Sequence, residues 1–274
     1  NMKKYLVIGN PIDHSLSPLL HNYWLKKNSI NGVYDKLKIN GEELEKLILR
    51  IRDKEINGLN VTVPFKKDII SYVDKLTTEA EITQSVNTIL LSDNKIVGHN
   101  TDILGFQNSI KDLNYNFEGK KVFILGSGGV VPSLIFALYN MKISSLTICN
   151  RTKTKAENLK NYFNQNNFEK FGQNKITTVD WGVVPEFDIV INATSIGLKK
   201  DDQLGLDFSK VGREKFFYDV IYNPKETNFL HTGKNLGNKT ENGKKMFLHQ
   251  AAEAFKIWHN IQPEINEEVS KLLD

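Results

Sequence analysis

Short apolar runs alternate with helical stretches along most of the chain, and no other feature of the sequence restricts the fold as strongly. In the second half, strands are predicted at 121–126 (KVFILG) and 145–150 (SLTICN), helices at 129–141 and 154–165, and further strands at 176–181, 188–193 and 216–221. In the first half, strands are predicted at 5–9 (YLVIG), 33–39, 58–63, 86–91 and 95–98, with helices at 18–27, 42–53 and 66–75. This alternation predicts parallel sheets with helices on both faces, because a strand returning parallel to the last needs a crossover, usually a helix. A helix at 101–113, with Asn100 or Thr101 as its N-cap, reads as a bridge between two domains, and helices at 246–260 and 263–274 close the chain.

Composition removes several function classes. The 274 residues suit two moderate domains. The net charge of +4 comes from Lys and Arg scattered among Asp and Glu, without the like-charge runs that nucleic-acid binding favours. Cys149 is the one cysteine, so neither an internal disulfide nor a Cys-based zinc site can form. No apolar run approaches the ~20 residues a membrane helix needs, and no basic segment precedes an apolar one at the start. A cytoplasmic protein with no membrane partner is expected. The six histidines show no metal-ligand spacing, and no GxSxG elbow is present.

The segment GLNVTVPFKK (58–67) reads as a strand with Leu59, Val61 and Val63 on one face and Asn60, Thr62 and Pro64 on the other. Pro64 cannot donate to a ladder, so the strand should stop there and leave Lys66 beyond its carboxyl end, where open α/β sheets bind ligands. Three other polar clusters sit at strand ends: Ser15 and Ser17 in GNPIDHSLSP, Asn87 in VNT, and Asp102 in GHNTD. Each has an ordinary alternative: Ser17-Pro18 as a helix start, Asp102 as a first-turn acid, Lys66 as a solvated lysine. Together, at one sheet edge, they would form a pocket of hydroxyls, amides, one cation and one anion, suited to a small polyhydroxylated acid.

GSGGVV (126–131) follows a strand and opens a helix, the setting in which a glycine loop cradles a pyrophosphate; a tight strand-to-helix turn is the alternative. About 20 residues on, where an NAD enzyme offers an acid to the ribose, the chain offers Asn150, Arg151, Thr152 and Lys155, which favours NADP over NAD. NATSIG (192–197) ends another strand with small polar residues that let backbone approach a cofactor.

In order and spacing, GNPIDHSLSPLLHN, NVTVPFKK, SVNT, GHNTDILG, GSGGVV, NRTKTKA, NATSIG, DVIYNP and GKKMFLHQAAEAF resemble the motif series of the shikimate dehydrogenases, from Gly9 to beyond Gln250. The resemblance implies two α/β domains around a cleft: a substrate domain of residues 1–103 and 246–274, and a Rossmann-type NADP domain of residues 104–245. It implies NADPH-dependent reduction of 3-dehydroshikimate to shikimate in aromatic amino-acid biosynthesis, by a monomer or homodimer. Ser15, Ser17, Thr62 and Tyr222 would hold the substrate carboxylate. Asn60, Asn87 and Gln250 would bind ring hydroxyls, and Lys66 and Asp102 would form the proton-transfer pair. Gly126, Ser127, Gly128, Gly129, Val130, Asn150, Arg151, Thr152, Lys155, Thr194, Val220, Gly243 and Met246 match the NADP-contacting positions.

Three stretches depart from the family pattern: Thr83-Gln84-Ser85 before VNT, Lys244-Lys245 after Gly243, and the polar GNKTEN (237–242), which lacks the apolar look of a last strand. The neighbouring readings are a quinate/shikimate dehydrogenase of dual specificity and a non-catalytic NADP- or shikimate-sensing module.

Overall fold

The computed structural model describes residues 1–166 and 176–274. In chain order it contains β1 (Lys3–Gly9), α1 (Ser17–Lys27), β2 (Gly32–Lys38), α2 (Leu44–Arg52), β3 (Gly58–Val61), β4 (Lys75–Leu76), α3 (Thr78–Thr83), β5 (Thr88–Ser92), β6 (Lys95–His99) and α4 (Asp102–Lys111). Then follow β7 (Lys121–Leu125), α5 (Val131–Asn140), β8 (Ser145–Cys149), α6 (Lys153–Gln165), β9 (Ile176–Thr178), β10 (Ile189–Asn192), β11 (Phe216–Asp219), α7 (Asn228–Asn235), β12 (Lys239–Glu241), α8 (Lys244–His259) and α9 (Glu267–Lys271). These form two compact units, Asn1–Phe106 with Phe247–Asp274, and Gln107–Met246, so the chain passes between units within α4 and within α8.

The first unit is built on a six-stranded sheet in the order β2-β1-β3-β5-β6-β4. α2 covers one face because Leu44, Leu47, Ile48 and Ile51 recur at helical spacing and are all buried. α1 and α8 cover the other with Leu20, Trp24, Leu248, Ala251, Ala252 and Phe255. Both faces of β3 are therefore buried, rather than one apolar face and one open chemical face.

The sheet is mixed, which corrects the all-parallel expectation: β5 runs antiparallel to β3 and to β6. The cause is local. Asp93 and Asn94 both adopt positive φ (48° and 62°) between β5 and β6, the geometry of a two-residue hairpin, which needs no crossover helix.

The helix expected at 66–75 is reduced to a 3-10 turn at Asp68–Tyr72. Asp74 exchanges hydrogen bonds with Ile96, its N–H to the Ile96 carbonyl at 2.9 Å and the Ile96 N–H to its carboxylate at 2.8 Å, and this draws the segment onto the sheet as β4. The helix expected at 263–274 covers only α9: the Glu264 carbonyl accepts from the Trp24 indole at 3.1 Å, and the Asn266 carboxamide caps α9 through the Val269 N–H at 3.0 Å.

The second unit holds a six-stranded sheet in the order β12-β11-β10-β7-β8-β9, with every pair parallel. All residues of β10 and β11 are buried, as central parallel strands must be when helices flank both faces. The polar GNKTEN segment does form a strand, β12, at the sheet edge. It pairs with β11 alone, and the Lys239 ammonium lies over the rings of Tyr115 and Phe216, 5.4 and 5.8 Å from their centroids. Among the described residues no helix is long and apolar enough to cross a membrane, and no cluster of His, Cys, Asp and Glu suits a metal ion.

Candidate active site

In the first unit the polar clusters meet at one edge of the sheet. β3 ends there at Val61. β5, running the other way, begins there after Asn87, and β6 returns to it at His99, so the pairing of Thr88 with both Asn60 and His99 sets the three chain ends side by side. Asn87 thus reaches the edge through the start of its strand rather than the end.

The Lys66 ammonium donates to Asp102 Oδ2 at 2.8 Å, with side chains only 16% and 8% exposed. Lys66 is far from the solvated lysine its sequence neighbours allow. Its backbone is fixed by the Val86 N–H, which donates to the Lys66 carbonyl at 2.9 Å. Asp102 is fixed by the Asn100 carboxamide oxygen, which accepts from the N–H groups of Asp102 (3.0 Å) and Ile103 (3.4 Å) at the start of α4.

Asn60 and Asn87 belong to one buried network beside this pair. The Tyr34 phenol donates to Asn60 Oδ1 at 2.6 Å, and Asn60 Nδ2 donates to the Asn87 carbonyl at 3.0 Å and the Thr88 hydroxyl at 3.1 Å. Asn87 Oδ1 accepts from the Thr88 hydroxyl and the Thr101 N–H, and Asn87 Nδ2 donates to the Thr101 hydroxyl. Ser17, buried at the start of α1, bonds the Tyr34 phenol, while its N–H donates to the Ser15 hydroxyl at 3.3 Å. Thr62 donates to the Ile8 carbonyl at 2.8 Å, and Gln250 to the Phe247 carbonyl of its own helix at 2.9 Å. The Tyr34 ring is stacked on His21, centroids 4.3 Å apart, and burial pushes His21 down to about 3, so this support is neutral.

The second unit places its polar groups on open strand ends. After β7 the glycine loop runs from Gly126 to Val130, where the Gly126 N–H donates to the Cys149 carbonyl at 2.7 Å and the Val131 N–H to the Gly128 carbonyl at 3.0 Å. Pro132 sits in the first turn of α5, which begins at Val131, two residues later than the pattern suggested. Arg151, Thr152 and Lys155 are exposed after β8, and the Asn150 carboxamide donates to the Thr152 carbonyl at 2.9 Å.

After β10 and β11 the loops are knotted by one side chain that sequence reasoning passed over. The buried Asp219 carboxylate accepts from the Asn192 carboxamide, the Ile221 N–H (3.0 Å) and the Thr227 hydroxyl (2.6 Å). Burial raises Asp219 to about 6 in spite of these donors. Asn192 in turn holds the N–H and hydroxyl of Thr194. Gly243 lies so near Val220 that a Cβ there would fall 2.0 Å from the Val220 carbonyl oxygen, so only glycine permits this approach. Met246 is buried, and burial lifts the Tyr222 phenol to about 12. The acid that opens the DVIYNP motif at the end of a strand was the available signal for Asp219; Tyr34 and Thr227, ordinary strand and cap residues in sequence, gave none.

A family model for the shikimate dehydrogenase substrate binding domain matches residues 7–89, and one for shikimate / quinate 5-dehydrogenase matches residues 108–200. A curated protein of Pelagibacter ubique named shikimate dehydrogenase (NADP(+)) is 52% identical over 272 residues, 99% of each chain. The chain belongs to the shikimate dehydrogenase family. Among solved structures of the family, a shikimate dehydrogenase in complex with NADP+ superposes with a TM-score of 0.92 at 33% identity, covering 99% of this chain and 94% of its own. The Thermus thermophilus shikimate 5-dehydrogenase in complex with NADP(H) and shikimate gives 0.86 at 28% identity, covering 99% of this chain and 98% of its own.

Proposed function

We propose that the chain reduces 3-dehydroshikimate to shikimate with NADPH, reversibly, and that Lys66 and Asp102 carry the proton chemistry. The observation that supports this most is the largely buried Lys66–Asp102 pair at a sheet edge where Asn60, Asn87 and Ser17 converge, in a chain of the shikimate dehydrogenase family. When bound, NADPH supplies hydride to the ketone carbon. The ketone oxygen then gains negative charge and needs one proton to become a hydroxyl. The Lys66 ammonium, with three donor hydrogens, can stabilise that oxygen and pass it a proton, while Asp102 orients the amine. Asn60, Asn87 and Gln250 would bind ring hydroxyls, and Ser15, Ser17, Thr62 and Tyr222 the carboxylate.

The residues present suit a dinucleotide. Nothing lies within 4 Å of a Cβ built on Gly128, so the glycine loop is open to a pyrophosphate, and exposed Arg151 and Lys155 offer cations to a ribose phosphate. The reading places the reaction in the cytoplasm, a reducing compartment with which a single buried cysteine, Cys149, is compatible.

Steady-state oxidation of shikimate and of quinate, each with NADP and with NAD, tests the proposal. Shikimate with NADP should have the highest kcat/KM. Comparable values for quinate would favour the dual-specificity reading, and binding without turnover would favour a sensing role.

A further inference from the structure

The loop after β9, outside every motif of the family series, packs against the loop that carries Arg151. β8 and β9 are parallel neighbours, so their carboxyl ends lie side by side. The Arg151 guanidinium carbon lies 5.3 Å from the ring centroid of Trp181, within cation–π range. Trp181 is held where it is from both sides. The Val179 N–H donates to the Ile148 carbonyl at 3.1 Å, and the Val183 N–H closes a turn onto the Asp180 carbonyl at 3.0 Å. Gly182, with φ of +109°, occupies the turn position that disfavours a side chain.

The acid in this turn is neutralised locally: Asp180 pairs with Lys153 at 2.7 Å in the first turn of α6. Both partners are exposed, so the pair orients the loop more than it stabilises it. The result is a loop that offers Arg151 an aromatic face while its carboxylate is engaged elsewhere.

We propose that Trp181 is a specificity-determining residue for the phosphorylated cofactor, acting as the platform that aims the Arg151 guanidinium at the adenosine 2′-phosphate. This rests on the reading of Arg151 as the phosphate-binding residue. An arginine on an exposed loop samples many rotamers, and each one away from the phosphate weakens the charge-assisted bond. A ring on one side of the guanidinium plane restricts that sampling and leaves its N–H edge free for the anion. NAD, lacking the phosphate, gains little from it.

The test is calorimetric titration of the purified full chain with NADP+ and with NAD+, for wild type, Trp181→Ala, Trp181→Phe, Arg151→Ala and the double variant, alongside KM for both cofactors. Trp181→Ala should weaken NADP+ binding about 2- to 5-fold, the size of an exposed cation–π contact, and NAD+ binding less. Trp181→Phe should recover most of the loss, and adding Trp181→Ala to Arg151→Ala should cost nothing more. If Arg151→Ala does not lower the NADP+ over NAD+ preference, the phosphate assignment of Arg151 falls and this inference with it. If Arg151→Ala lowers the preference and Trp181→Ala does not, or weakens both cofactors equally, the inference alone falls.

Discussion

In the first unit, Tyr34, Asn60, Thr88, Asn87 and Thr101 spend most of their hydrogen bonds on one another, under cover of the core, beside the Lys66–Asp102 pair. In the second unit, Arg151, Thr152 and Lys155 stand in solvent on the loop after β8, ordered locally by the Asn150 carboxamide, while Asp219 and Gly243 order the neighbouring loops after β10 and β11. A buried network is costly to leave half satisfied, so its members act together and each deletion is felt. Exposed cations act nearly independently and each contributes modestly. A reaction centre needs the first kind of construction, because the reacting atoms tolerate little displacement; a dinucleotide, touched at many points, can be held by the second.

The sharpest way to break this contrast is to remove one residue from each side. Lys66→Ala should lower kcat ~10²–10⁴-fold, the range for a positioned acid or base, with KM for NADP little changed. Arg151→Ala should leave kcat nearly intact and raise KM for NADP about tenfold, the lower end for a hydrogen bond to a charged group. Steady-state kinetics on both variants, with thermal melts to confirm folding, would contradict the contrast if the two losses were similar in size and kind.

A smaller effect separates the units by pH. His21 is pushed down to about 3 and His259 to about 4, chiefly by burial. Since an unfolded histidine titrates near ~6.5, their neutral forms contribute fully above that pH, and the contribution is lost as pH falls toward the folded values. Asp219, raised to about 6, has the opposite sign: its burial costs stability above about pH 6, and the cost fades as pH falls toward the unfolded value of ~3.9. Between pH 7 and 5, His21 alone should cost about 2 kcal/mol and Asp219 return about 1 kcal/mol. Denaturant melts of wild type should show a net loss on acidification, and Asp219→Asn should make that loss larger; a smaller loss in the variant would contradict the assignment.

Much of this was legible in the sequence because it depends on short-range patterns. β3 stops at Val61, three residues before the proline expected to end it, yet Lys66 still lies beyond its carboxyl end, and the glycine loop does follow a strand and lead into a helix. The orientation of β5 was written in Asp93-Asn94, a dipeptide tolerant of positive φ, but the alternation of strands and helices outweighed it. β12 was doubted and α7 escaped notice because an edge strand with one neighbour and a short capped helix need little apolar patterning. Asn60 read as an open polar group. Its partners Tyr34, Asn87 and Thr88 come from three other chain segments, and no local pattern reveals a bond between residues so far apart in sequence.

The measurement closest to the central claim is a double-mutant cycle on the buried pair, with kcat/KM for shikimate determined for wild type, Lys66→Ala, Asp102→Asn and the combination. If Lys66 and Asp102 work as one proton-transfer unit, the combined variant should lose scarcely more than the worse single variant, far less than the product of the two losses. Losses that multiply, or a well-folded Lys66→Ala enzyme within a few-fold of wild type, would contradict the assignment of the chemistry to this pair.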